Sequence, residues 1–238
     1  MRVLPACSSC PVWRFATWLK PVDVGVIQTQ RGPRSSLQLR LMPREKSELK
    51  RGERRQQILQ ALAAMLEQPR WEKITTAALA ARLDVSEAAL YRHFASKAQM
   101  YEGLIEFIEH SVFTLTNRIS ADETDPRRHA PRMLELLLAF AEKYPGMVRV
   151  MIGEALVGEH ERLQARMNQF FDRFEATLKQ ALKLAAADAQ GGLPAGEDPG
   201  AHAAALTRYA LGCLHVFARS GFAKKPSEQL APHWHYIG

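Results

Sequence analysis

Apolar residues recur at helical spacing along most of the chain from residue 56 onward. Ile58, Leu59, Leu62, Met65 and Leu66 stand three and four apart, which predicts a helix over 56–67 that Pro69 stops. Residues 74–97, ITTAALAARLDVSEAALYRHFASK, predict two short helices, a tight turn between them, and the start of a third. Thr75 or Thr76 opens the first helix, where a hydroxyl can accept from free N–H groups. Leu79, Ala80 and Leu83 form its apolar stripe, and Asp84 and Val85 make the turn. Ser86 caps the second helix, with Glu87 at its positive end. Leu90 and Phe94 are four apart and share the face that points into a core. Ser96 and Gln99 suit a capping box for the third helix.

That third helix runs over 97–121. Met100, Leu104, Phe107, Ile108, Phe113 and Leu115 are more than one core stripe requires. The helix is expected to be buried on two sides, or to share part of its surface with a partner. Pro126 or Pro131 marks the first turns of the next helix, which carries Met133, Leu134, Leu137, Leu138 and Phe140. Tyr144-Pro145-Gly146 breaks it, and a short helix follows, ending near Gly158. Leu163, Met167, Phe170, Phe174, Leu178 and Leu182 then track one face of a helix over 159–188. GGLPAGEDPG at 191–200 reads as a flexible loop, and a last helix runs from Ala201 to Gly221. Its Ala203, Ala204, Ala210 and Gly212 permit close approach of another helix. The last two helices are expected to pack against their copies in a second subunit as a four-helix bundle. The fold class is therefore all-α.

Charge is uneven along the chain. Residues 44–97 hold eleven Lys/Arg against seven Asp/Glu, whereas residues 98–238 hold fifteen against seventeen. A basic head on a mildly acidic body suits a nucleic-acid reader joined to a protein-binding unit. The second short helix has what a major-groove helix requires. Ala88 and Ala89 let the backbone come close, Arg92 carries the fork that fits a guanine edge, and Tyr91 and His93 can reach phosphates or bases. Lys97 stands at a helix start, where a phosphate is favoured. In the charged arm 44–55, Arg51, Arg54 and Arg55 are expected at phosphates.

Other chemistries find little support. Cys7 and Cys10 form a lone C-S-S-C without a second ligand pair, and Cys213 lies in an apolar helix as a small core residue. This usage suggests no disulfide and suits a reducing cytoplasm. The eight histidines are scattered, and His233 and His235 have poor helical metal spacing. No catalytic constellation, metal site or cofactor is expected. No apolar run is long enough to span a bilayer, so no membrane partner is expected. Residues 1–43 lack a period, and Arg14 interrupts the one stretch that resembles an export signal. Met42 is the expected start, with the leader as translated upstream sequence; if present, that leader is expected to be disordered.

The alanine-rich helix followed by V-S-x-x-x-L-Y-x-H-F-x-S-K resembles the TetR family of dimeric DNA-binding regulators. The leader (1–43), read as disordered or mis-assigned, lies outside the resemblance, which implies a three-helix DNA-binding head (44–96) with a helix-turn-helix over 75–94 and a helical dimerisation and partner-binding body (97–238). It implies a homodimer on palindromic double-stranded DNA. Thr75, Thr76, Ser86, Ala88, Ala89, Tyr91, Arg92, His93 and Lys97 would form the DNA surface. From about Glu53 onward the chain further resembles the nucleoid occlusion factors within that family, through RRQQILQALAAMLE, LIEFIEHS and RLQARMNQFFDRFEA. This implies a septation inhibitor that, on DNA, binds the C-terminal tail of the division protein FtsZ. The tail groove would involve Phe107, Lys143 and Met147. DNA could act by shifting the linking helix or by clustering dimers; both stay open. The wider family's default, a repressor released by a small-molecule ligand, is the alternative.

Overall fold

The computed structural model describes residues 51–68, 74–188, 197–230 and 232–233. The expectations for the leader with Cys7 and Cys10, for 44–50, for the side chain of Arg51, for loop residues 191–196 and for His235 lie outside the described residues. The described residues contain helices and no strand.

Helices α1 (Arg51–Leu66), α2 (Thr76–Arg82) and α3 (Glu87–Tyr91) form a small head. Ile58, Leu62 and Leu66 of α1 share its core with Leu79, Leu90 and Phe94, all nearly excluded from solvent, and Ile74 closes the edge. The periodicity required this: each short helix has a single apolar face, and only the other two can cover it. Asp84 bends the chain between α2 and α3 with a left-handed backbone, φ 53°.

Helix α4 (Lys97–Asp122) leaves the head and runs through the body; its 26 residues span about 39 Å. Its apolar excess is explained by burial on two sides. Met100, Leu104, Ile105, Ile108 and Val112 are completely buried between the head and α5 (His129–Lys143), α6 (Pro145–Met151) and α7 (Glu161–Ala187). Helix α8 (Pro199–Arg219) packs along α7. Pro145 cannot continue α5 and opens α6. Helix α6 is shorter than the sequence suggests: Gly153 takes a left-handed backbone, φ 82°, and a single 3₁₀ turn, Glu154–Leu156, follows. Helix α8 starts two residues before the expected Ala201. Asp198 accepts from the Gly200 and Ala201 N–H groups, and Pro199 suits the first helical position. Of its small residues, Ala203 and Ala210 are consumed inside the subunit, while Gly212 is exposed with open space around it. Leu184 of α7 and Val216 of α8 stay 55% and 44% exposed.

Besides the packing of α4 on α1, two contacts among the described residues stand at the junction of head and body. At one, the α6 start lies so close to α1 that a β-carbon on Gly146 would stand 2.2 Å from the Ala63 carbonyl oxygen. Arg149 of α6, itself buried, donates from Nε to the Leu66 carbonyl (2.9 Å) and from Nη1 to Glu154 (2.9 Å), and covers the Phe222 ring. At the other, Lys97 Nζ pairs with Glu159 in the loop before α7. Helix α4 is further tied to α7 by Arg162–Glu102 and by the forked Arg166–Glu109 pair. The RLQAR stretch thus carries interhelical pairing.

Candidate nucleic-acid interface and partner corner

The two short helices are set by their caps. Thr75 Oγ1 accepts from the Ala78 N–H at 3.1 Å, and Ser86 Oγ from the Ala89 N–H at 3.3 Å. The third cap departs from the expected box. Ser96 Oγ accepts from Gln99 N–H, but Gln99 Oε1 reaches back to the Ala95 N–H, one residue further than a capping box places it. The effect is to tie the end of the recognition segment to the start of α4.

Leu90 and Phe94 hold the inner face of the recognition segment, each 1% exposed. The other face carries Ala88, Tyr91 and Arg92, all exposed, with Ala89 and His93 half-buried. The helix itself ends at Tyr91, so Arg92 and His93 stand in the turn after it. Thr75 and Thr76 lie at the start of α2, and Thr76 Oγ1 donates to Glu87 Oε2 at 2.6 Å.

Three basic residues expected at phosphates are engaged within the protein. Arg55 donates from Nη1 to the His93 carbonyl (3.1 Å), and its guanidinium lies 4.1 Å from the Phe94 ring centroid. Arg54 donates to Gln57 on its own helix. Lys97 holds its charge against Glu159 and near the Tyr101 ring. Tyr101 is buried beside the Glu159 carboxylate, and burial first, that charge second, push its phenol pKa up.

The three partner-tail residues do not share an open groove. Phe107 is 5% exposed, with its ring 5.3 Å from Tyr144 and 6.0 Å from Phe140. Met147 is 1% exposed under the α6 turn. Both are core side chains here: Phe140 and Tyr144 at the end of α5 cover Phe107, and Met147 is buried within α6. Lys143 is exposed at the end of α5, its Nζ 5.4 Å from the Tyr144 ring. The sequence could not reveal that burial: apolar residues at helical spacing look alike whether a partner or the same chain covers them. Of the other sequence readings, Cys213 is half-buried rather than fully internal, and burial raises its thiol pKa. Among the described residues no group of His, Cys, Asp and Glu could hold a metal ion, and no helix is long and apolar enough to cross a membrane.

The sequence matches two family profiles. Residues 58–104 match the bacterial regulatory proteins of the tetR family, and residues 128–238 match a tetracyclin repressor-like C-terminal domain. The protein named nucleoid occlusion factor SlmA from Alteromonas mediterranea is 47% identical over 186 residues, covering 78% of this chain and 94% of that one. Its namesake from Idiomarina loihiensis is 49% identical over 181 residues, covering 76% and 91%. In fold, the chain is similar to the regulator FadR from Bacillus subtilis in complex with stearoyl-CoA, with a TM-score of 0.60 at 11% identity over 76% of this chain and 96% of that one. It is also similar to FadR from Bacillus halodurans, with a TM-score of 0.61 at 13% identity over 79% and 97%.

Proposed function

The chain belongs to the TetR family, among the nucleoid occlusion factors called SlmA, and from that membership we propose how it works as one. It binds palindromic chromosomal sites as a homodimer through the head at 44–96, using Thr75, Thr76, Ser86, Ala88, Ala89, Tyr91, Arg92, His93 and Lys97. On DNA it captures the C-terminal tail of FtsZ with the body at 97–238 and keeps the division ring from assembling over the nucleoid, where the protein resides. Two-fold symmetry in the protein and in the site match each other. The exposed Leu184, Gly212 and Val216 supply an apolar face for the second subunit.

The observation that carries this reading is the joint between the α6 corner and the head. Gly146 sits on the α1 backbone and Arg149 bonds to the last carbonyl of α1, within six residues of Lys143. A tail held by Lys143 therefore sits beside an element that is packed against and hydrogen-bonded to the DNA-binding head. An acidic group on the tail pairs with Lys143, and Phe107 and Met147 act from beneath by shaping the corner.

The experiment is binding of a labelled FtsZ tail peptide to the full chain, with and without palindromic DNA of the kind SlmA proteins bind. Saturable binding that Lys143→Asp removes, with DNA affinity intact, is the expected result. Tight DNA binding with no peptide binding would return the protein to the ligand-released repressors.

A further inference from the structure

Glu87 is the single carboxylate of α3, and it stands exposed at the first position of that helix. The first turn of a recognition helix is the part that meets base edges. An acid there is repelled by the phosphates lining the groove, so it weakens general attraction to DNA. Yet it is held in place. Thr76 Oγ1 donates to Glu87 Oε2 at 2.6 Å, across eleven residues of chain, joining the first residue of α2 to the first residue of α3.

Counting hydrogens separates the two threonines. A hydroxyl has one hydrogen to donate. Thr75 Oγ1 accepts from the Ala78 N–H, so its own hydrogen remains for a phosphate oxygen. Thr76 has committed its hydrogen to Glu87 and cannot also donate it to a phosphate. The ionised Glu87 carboxylate is an acceptor only, with capacity left on its second oxygen. In the major groove the base groups that donate are the N4 amine of cytosine and the N6 amine of adenine. Adenine presents its N7 acceptor beside that amine, which repels a carboxylate; cytosine does not.

We propose that Glu87 reads a cytosine N4 amine in each half-site, with Thr76 as the positioning residue that orients it and Thr75 as the phosphate anchor. This rests on α3 being the DNA-reading helix. It changes the role of Thr76, which then acts on DNA through Glu87.

Selection from a randomised duplex library tests it, using the full-length wild type, Glu87→Ala, Glu87→Gln, Thr76→Val and Thr75→Ala. The wild type is expected to enrich cytosine at one position per half-site. Glu87→Ala flattens that position by about tenfold, within the range of a base contact, and leaves the other positions alone. It also binds random duplex more tightly, because a negative charge has left the groove. Glu87→Gln keeps an acceptor for Thr76 and shifts the preference toward adenine, whose N6 and N7 a carboxamide fits. Thr76→Val weakens preference at the same position, whereas Thr75→Ala weakens binding to all sequences alike. A preference profile unchanged at every position in both Glu87 variants would overturn the assignment, whatever happens to total affinity, and leave Glu87 as a brace between α2 and α3. A wild type that enriches no motif would remove the DNA-reading premise, and the proposal with it.

Discussion

Arg55 of α1 donates to the backbone carbonyl of His93 at 3.1 Å while its guanidinium lies on the Phe94 ring, 4.1 Å from the centroid. One side chain thus caps the end of the recognition segment and covers the aromatic anchor of its inner face. Lysine cannot do both, because it lacks the planar fork. Arg55→Ala is expected to cost about 1–2 kcal/mol of stability, the sum of a cation–π contact and a hydrogen bond. The slope of log affinity against log salt should stay at the wild-type value; a slope shallower by about 0.9 would make Arg55 a phosphate contact instead. Thermal melting and salt-dependent binding give both readouts.

Lys97 and Glu159 form an ion pair at 2.5 Å with 31% and 17% of their side chains exposed. A phosphate arriving at the α4 start competes with Glu159 for the same ammonium group. Glu159→Gln releases Lys97, so DNA affinity should rise severalfold at low salt, with the salt slope steeper by about 1. A titration at three salt concentrations decides; equal slopes would confine Lys97 to joining head and body.

Gly146 has no room for a side chain. A β-carbon there meets the Ala63 carbonyl oxygen at 2.2 Å, and that atom is backbone, which cannot turn aside. Gly146→Ala is expected to lose about 1–3 kcal/mol in urea unfolding. The same variant tests the link between sites. It should lower tail-peptide affinity even at temperatures where the fold is intact, because the α6 corner is pushed off α1.

Glu123 closes α4 and gathers the start of α5. It accepts from the Asp125 N–H and faces Arg132 and Arg128, while His129 meets its carbonyl. The Asp125 N–H bond first, and the two arginines after it, hold the Glu123 carboxyl below the usual glutamate range. A carboxyl depressed in the folded state stabilises that state above its unfolded pKa, and the contribution is lost as pH falls through the folded value. Melting temperature should therefore drop from about pH 4.3 downward. Glu123→Gln should already be less stable at neutral pH and should lose less on acidification; parallel curves would show that other carboxylates set the acid limit.

Much of this molecule was determined by the sequence alone, and those parts are local. The helices over 74–97, 97–121 and 159–188 follow from apolar spacing and from caps such as those whose donor and acceptor lie three residues apart, and so does the helix over 56–67 except for its start, which lies at Arg51 within the stretch read as a charged arm. The all-α class and the charge contrast follow in the same way. The family was legible too, in the words LYRHF and RLQAR. What tertiary structure decided is which partner each side chain meets. Arg55 finds His93 38 residues away, Lys97 finds Glu159 62 away, and Arg149 finds Leu66 83 away. No periodicity encodes those distances, since they depend on how whole helices pack. For the same reason Phe107 and Met147, apolar and correctly spaced for a groove, lie in the core: whether an apolar face meets a partner or its own chain is settled only when the neighbouring helices close over it.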